Sequence, residues 1–329
     1  MSILVTGGAG YIGSHMVLAL ADVGQPVVVL DNLSTGFRWA IDPRATLVEG
    51  DTGDDALVAR LLRDHAVEAI IHFAGSIVVP ESVTDPLGYY LNNTVKSRGL
   101  IAAAVAAGVG KFIFSSTAAV YGNPAVTPVP EDADLSPVSP YGSSKLMTEI
   151  MLADTARAHP LRYVALRYFN VAGADPKGRS GQSTPRATHL IKIACETALG
   201  KRKYMEVFGT DYPTSDGTCI RDYIHVTDLA EAHMAALAHL NRDGASCVLN
   251  CGYSKGYTVL QVIDAVKRVS GVNFEVRLSA RRPGDPASIV AASDRIRSEL
   301  GWVPAHDNLD KIVREALAWE HKLGLKVNT

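Results

Sequence analysis

Hydrophobic positions in the first half of the chain fall into two alternating textures. Short runs rich in β-branched residues, ILVTG (3–7), VVVLD (27–31), ATLVEGD (45–51), AIIHFAG (69–75) and KFIFSS (111–116), read as strands buried on both faces. Between them lie longer mixed stretches, 13–23, 54–65 and 86–107, of helical length. A sixth run, RYVALRYFN (162–170), follows a further helical stretch. Strand and helix in alternation predict an α/β fold, a Rossmann-like doubly wound parallel sheet with right-handed crossovers.

The texture changes after Asn170. Residues 171–188, VAGADPKGRSGQSTPRAT, are rich in Gly, Pro, Ser and Thr and read as a long loop leaving the sheet. A helix near 189–200, a short strand MEVFG, a polar loop over 210–220 and a helix near 227–240 follow, then mixed short elements. The expected organisation is a dinucleotide-binding domain over 1–170, with segments near 221–252 returning to it, and a smaller substrate-binding lobe over 171–329. No internal repeat or low-complexity tract interrupts this pattern.

Bulk composition narrows the classes. The 329 residues are 47% hydrophobic and 20% charged, with 32 basic against 34 acidic residues and a formal net charge of -2, so nothing calls for nucleic acid or an anionic membrane. Cys195, Cys219, Cys247 and Cys251 show no C-x-x-C spacing, which argues against a zinc site or a disulfide framework and for reduced thiols. No secretory signal is visible, and LIAAAVAAGVG is too short to span a bilayer, so the expected location is the cytoplasm and no metal is expected.

Candidate chemistry begins at VTGGAGYIGSH, which follows the first strand and opens the first helix. Gly7, Gly10 and Gly13 permit a tight turn, backbone approach to a pyrophosphate and close helix packing. The second strand ends in Asp31, eighteen residues after Gly13, where a carboxylate accepts hydrogen bonds from ribose hydroxyls and repels a 2′-phosphate. NAD is therefore expected rather than NADP.

A second constellation is SPYGSSK (139–145). Ser139 suits an N-cap and Pro140 the first helical position, so a helix should start there and place Tyr141 and Lys145, four residues apart, on one face. A neighbouring cation favours phenolate, and the pair is expected to lower the Tyr141 pKa towards that of a working acid-base.

With this spacing, and with DNLS, HFAG, SSTAAVYG, LRYFNVAGA, FGTDYPTSDGTCIRDYIHV and RRPGD, the chain resembles the extended short-chain dehydrogenase/reductase family over nearly its whole length. Within it, the likeness is greatest to enzymes that invert C4 of UDP-sugars. The resemblance implies an isomerase that interconverts UDP-glucose and UDP-galactose through a transient 4-keto sugar, with bound NAD taking and returning the C4 hydride. It implies Tyr141 as acid-base, Lys145 as its partner and ribose ligand, and Thr117 as the accompanying hydroxyl, which also touches substrate. Ala118 and Ala119 stand where related dehydratases carry acids, so water elimination is not implied.

The remaining site residues are carried over in the same way. Tyr11, Ile12, Asn32, Ser34, Asp51, Thr52, Phe73, Ala74, Gly75, Asn93, Ser115 and Tyr168 join the glycines and Asp31 around NAD. Asn170, His189, Leu190, Phe208, Arg221, Tyr223, Arg282, Asp285 and Ile289 would form the UDP-sugar pocket. Arg282 and Asp285 could equally be a surface ion pair. Three positions depart from the family pattern: Ile77 replaces a frequent lysine, which should loosen NAD retention; Thr188 and His189 replace an Asn pair; and Ile289 stands where Tyr or Cys lines the sugar. Sibling activities on UDP-pentoses or UDP-N-acetylhexosamines, and an idle NAD-binding regulator, remain alternatives. The family likeness also implies a homodimer.

Overall fold

The computed structural model describes residues 1–184, 188–282 and 285–327; the expected loop 171–188 and the RRPGD stretch therefore each run partly outside the described residues. In chain order the elements are β1 (Ser2–Thr6), α1 (Tyr11–Asp22), β2 (Val27–Asp31), β3 (Thr46–Glu49), α2 (Asp55–Asp64), β4 (Val67–His72), α3 (Val79–Thr84), α4 (Pro86–Tyr89) and α5 (Lys96–Ala107). Then come β5 (Lys111–Thr117), α6 (Pro140–Ala158), β6 (Arg162–Tyr168), β7 (Asn170–Ala172), α7 (Leu190–Ala198), β8 (Met205–Phe208), β9 (Ile220–His225) and α8 (Val226–Asn241). The chain closes with β10 (Cys247–Cys251), β11 (Gly256–Thr258), α9 (Val259–Ser270), β12 (Val276–Ser279), β13 (Ser288–Ile289), α10 (Asp294–Leu300) and α11 (Leu309–Val327).

Seven strands form one parallel sheet in the order β10-β6-β5-β4-β1-β2-β3. This is the doubly wound α/β fold expected from the alternating runs. The runs are apolar throughout because successive residues serve opposite faces. Leu4, Val28 and Leu30 pack with Val58 and Leu61 of α2, Leu100 of α5 and Leu152 of α6. Ile3, Val5, Val27 and Val29 pack with Met16 and Leu20 of α1 and Leu229 and Ala236 of α8. The second core continues through Ile191 and Cys195 of α7, Val262 of α9 and Ile312 of α11, so the C-terminal helices share it with the sheet.

The chain runs outward from β1 to β2 and β3, then returns to β4 on the other side of β1. That reversal opens a crevice at the carboxyl ends of β1 and β4, where ligands bind in open α/β sheets. Both the glycine loop after β1 and Phe73–Gly75 after β4 face it.

Two local differences from the sequence reading have physical causes. The stretch 86–107 is not one α-helix, because a π-helical segment, Tyr90–Val95, separates α4 from α5. It turns Asn93 inward, where its side chain makes three hydrogen bonds. Within 171–188, β7 adds a strand to β9, and Ala174 bridges Gly181, so this segment is partly ordered by pairing. Of residues 221–252, α8 packs on α1, β5 and β6, and β10 borders the main sheet, whereas β9 lies in a separate four-stranded sheet with β7, β11 and β13. β8 and β12 pair as a parallel ribbon.

Candidate active site

The glycine loop is shaped by close approach. Gly7 has φ +69°, and a Cβ there would stand 2.6 Å from the Ala74 nitrogen. At Gly13 a Cβ would meet the Gly7 carbonyl oxygen at 2.1 Å, so any side chain would push α1 off the loop. No side chain caps α1 at Gly10, which leaves the helix N-terminus, with its unpaired N–H groups and positive dipole end, free for an anion. Asp31 is held at the end of β2 by the N–H groups of Ala9, at 2.9 Å, and Leu33, at 2.8 Å. Each carboxylate oxygen keeps a lone pair for a ribose hydroxyl. These features fit a dinucleotide with a free ribose diol.

Neighbouring expected residues divide into those open to a ligand and those already engaged. Asn32 and Ser34 are exposed beside Asp31, and the Asn32 amide donates to Asp51 at 3.1 Å. Asp51 also accepts from Lys96 at 2.8 Å, and Thr52 is buried next to it. The Phe73 N–H donates to the Thr6 carbonyl, and the Ala74 N–H to the Thr6 hydroxyl, which draws this segment against Gly7. Tyr11 gives its hydroxyl to the Gly173 carbonyl at 2.7 Å, and Ile12 packs on the core. Asn93 is engaged within the protein: its oxygen accepts from the Ser76 N–H, and its amide donates to the Ser76 carbonyl and the Ser144 hydroxyl. It clamps the 75–77 loop, and its oxygen keeps one lone pair for a ligand hydroxyl. Ile77, in that loop, is 51% exposed.

The helix carrying the Tyr-Lys pair starts where the sequence placed it. The Ser139 hydroxyl accepts from the Gly142 N–H at 3.2 Å, with Pro140 at the first helical position. A Cβ on Gly142 would come within 2.6 Å of the Ala119 carbonyl, so α6 seats directly on the turn after β5. That contact brings Tyr141 towards Thr117, whose hydroxyl accepts from the Ala119 N–H at 3.2 Å and lowers the pKa of the phenol. Lys145 is buried, donates to the Ser115 carbonyl at 3.0 Å and lies 5.0 Å from the centre of the Phe114 ring. Gly75 leaves its approach open, since even a Cβ there would stand 3.7 Å from the ammonium. Tyr168 closes this side, its hydroxyl bonded to that of Ser115.

The electrostatics correct one expectation. Burial raises the Tyr141 pKa, and the Thr117 hydrogen bond offsets it only in part. Lys145 is buried as well, and desolvation lowers its own pKa to about 8. Burial, then Tyr141, also pushes the Tyr168 phenol up. The polypeptide alone thus keeps Tyr141 protonated, and a further positive charge beside it is needed to make the phenolate.

On the other side, Tyr11, Asn170, His189, Leu190 and Tyr223 line a narrow cleft of about 30 Å³, with Trp319 and Glu320 also in its wall. Neither Tyr141 nor Lys145 lines it. Asn170 and Tyr223 are paired partners of β7 and β9. His189 stands 3.3 Å from the Gln182 amide, and burial, then Lys192, lowers its pKa. Arg282 and Asp285 do not pair with each other. Asp285 binds Arg221 at 2.5 Å, while the Arg282 guanidinium lies 3.8 Å over the Phe208 ring, so the two arginines flank one patch. Ile289 is in register with Arg221 and packs on Ala118, Val120 and Tyr121, against the turn that follows Thr117.

Sequence reading missed the ionic support beneath this site. Glu149 accepts from Arg167 at 3.0 and 2.6 Å and from the Ser116 hydroxyl, all buried. Each member lies beside or in helical phase with a site residue: Ser116 next to Thr117, Arg167 next to Tyr168, and Glu149 one turn beyond Lys145. The signal was present as Tyr141, Lys145 and Glu149 at four-residue spacing. Lys192, Glu320 and Lys201 similarly tie α7 to α11 behind the cleft. The four cysteines are free.

A glycine loop at the switch point, an acid at the end of β2 and a buried Tyr-Lys pair with a hydroxyl partner define a nucleotide-dependent enzyme of the Rossmann type. The chain belongs to the NAD dependent epimerase/dehydratase family, whose model matches residues 3–252. It is 60% identical over 321 residues to a UDP-glucose 4-epimerase of Azospirillum brasilense, covering 98% of this chain and 92% of that one. The crystal structure of UDP-glucose 4-epimerase from Brucella ovis in complex with NAD superposes with a TM-score of 0.94 at 44% identity, over 96% and 97% of the two chains. The UDP-Glc/GlcNAc 4-epimerase of Campylobacter jejuni gives 0.86 at 47% identity, over 98% and 99%. Among the described residues, no helix is long and apolar enough to cross a membrane.

Proposed function

We propose that the chain catalyses NAD-dependent 4-epimerisation of UDP-sugars, interconverting UDP-glucose and UDP-galactose. The observation that carries this reading is Tyr141 one helical turn before buried Lys145 on α6, with Lys145 fixed to Ser115 beside the Phe73–Gly75 segment that closes on the glycine loop. Tyr141 takes the proton of the sugar 4-hydroxyl and later returns it; Thr117 orients that phenol and stabilises its anion. Lys145, fixed by Ser115, holds a ribose hydroxyl and keeps positive charge near the phenolate. NAD, when bound, supplies the hydride acceptor and the second positive charge that Tyr141 requires. The residues that would hold it are the Gly7–Gly13 loop and α1 N-terminus at the pyrophosphate, Asp31 at the adenosine ribose, and the Phe73–Gly75 segment alongside.

Arg221, Asp285, Phe208 and Arg282 receive the nucleotide, with charged forks suited to phosphate oxygens and ribose hydroxyls. Asn170, His189, Leu190 and Tyr223 line the approach. Ile289 is the wall beside the sugar; smaller than tyrosine, it allows weaker activity on N-acetylated sugars. Residues 1–170, with 226–252, form the cofactor-binding part and the remaining segments the substrate lobe. The reaction is tested by giving the purified protein UDP-glucose and, separately, UDP-galactose. Both should converge on one mixture, and failure of either to convert would refute the proposal.

We also propose a homodimer in the cytoplasm. Val79, Val83, Leu87, Leu91 and Val95 are exposed at four-residue intervals from α3 to the start of α5, and Met147 and Ile150 of α6 are exposed nearby. An apolar surface of this extent fits a second copy. Light scattering should give twice the chain mass, and Ile150→Glu should reduce it; a wild-type monomer contradicts the dimer.

A further inference from the structure

Tyr212, in the loop between β8 and β9, is only 5% exposed. Its position is tightly set. Its N–H donates to the Gly217 carbonyl at 2.9 Å, and its own carbonyl accepts from Thr214 at 2.8 Å. Gly209, at φ +80°, lets the ring lie so close that a Cβ there would stand 2.6 Å from it. The Arg281 guanidinium covers the ring at 4.0 Å and is itself bonded to Asp211 at 2.6 Å.

Despite this, the Tyr212 hydroxyl is buried with no hydrogen-bond partner among the described residues. Three other buried tyrosines are satisfied: Tyr89 by the Val78 carbonyl, Tyr121 by Asn250 and Tyr253 by Asp228. Native proteins rarely leave such a group unpaired, and an orphan beside a binding surface points to a partner that arrives from outside. The Tyr212 ring lies against Gly209 and under Arg281, the chain neighbours of Phe208 and Arg282 in the nucleotide patch, and burial, then Asp285, raises the pKa of its phenol. Arg221 and Asp285 are the ion pair assigned above to the nucleotide. Its Asp285 side chain is 31% exposed, so a ligand can reach the pair. A phenol both donates and accepts, which suits it to phosphate oxygens and ribose hydroxyls alike.

We propose that Tyr212 is a further nucleotide-binding residue, its hydroxyl bonding the ribose-diphosphate portion of the nucleoside diphosphate received by Arg221 and Asp285. This rests on the UDP-sugar reading. Tyr212→Phe removes one oxygen and keeps the ring, its arginine stack and its turn. Calorimetric titration with UDP should show Kd raised about three- to tenfold, the range expected for one neutral hydrogen bond. The variant without UDP should melt no lower than wild type, because the orphan hydroxyl is gone. An unchanged Kd overturns the inference, and a lower melting temperature with unchanged Kd assigns the hydroxyl a structural water instead. If wild type fails to bind UDP, the UDP-sugar reading falls with it; if wild type binds and the variant is equal, only the role of Tyr212 falls.

Discussion

Replacing Arg167 by Met tests the ionic support beneath the catalytic helix. Arg167 and Glu149 side chains are each 5% exposed. The substitution removes the two bonds to Glu149, at 3.0 and 2.6 Å, and the donations to the Tyr121 hydroxyl at 2.9 Å and the Glu131 carbonyl at 3.1 Å. Glu149 is then a buried carboxylate with only Ser116 left to it, and breaking such a pair from one side costs about 3–5 kcal/mol. That is a large share of the ~5–15 kcal/mol that separates most folded proteins from unfolded ones. Urea unfolding, followed by tryptophan fluorescence, should show the midpoint falling sharply. Changing both partners, Arg167→Met with Glu149→Leu, should recover most of the loss, because the cost lies in the stranded charge rather than in the missing attraction. A single variant within about 1 kcal/mol of wild type, or a double variant no better than the single, would refute this reasoning.

Tyr141→Phe should keep UDP binding yet lower kcat by about 10²–10⁴-fold in a coupled epimerase assay, and a near-normal kcat would remove Tyr141 from proton transfer. Gly13→Ala puts a Cβ 2.1 Å from the Gly7 carbonyl, so the purified variant should release no stoichiometric NAD on denaturation; full NAD content would show that the loop can shift. Lys145 has its folded pKa lowered from 10.5 to about 8, so below pH 8 both folded and unfolded states are charged and the burial penalty is fully present. As pH rises from 8 to 10.5 the folded state loses its proton first and the penalty fades. In nucleotide-free protein Lys145→Met should therefore be more stable than wild type at pH 7, by up to ~3 kcal/mol, with the gap closing towards pH 10; a gap independent of pH would contradict the shift.

Much of this molecule was legible because its signals are local. The first six strands were visible as apolar runs, since a parallel sheet covered on both faces demands them, and VVVLD coincides with β2 residue for residue. Ser139-Pro140 marked the start of α6 because an N-cap and a first-turn proline are read from adjacent residues. What depended on distant partners was not legible. The π-helical segment over Tyr90–Val95 is set by Asn93 reaching Ser76 and Ser144, neither of which is near it in sequence. Arg282 pairs with an aromatic face rather than Asp285 because β8 and β12 lie side by side, a tertiary fact. The expected lowering of the Tyr141 pKa failed for a related reason: spacing places a cation on the same face, but the burial of the phenol, which depends on the whole fold, raises the pKa.

The central claim is that one bound nucleotide removes and returns hydrogen at C4 while Tyr141 handles the hydroxyl proton. It is tested most directly by supplying wild-type protein with UDP-glucose deuterated at C4 and following the sugar by NMR. The account predicts UDP-galactose that still carries deuterium at C4, with no net accumulation of reduced nucleotide. Failure to form UDP-galactose, or a product whose C4 hydrogen comes from water, would contradict it.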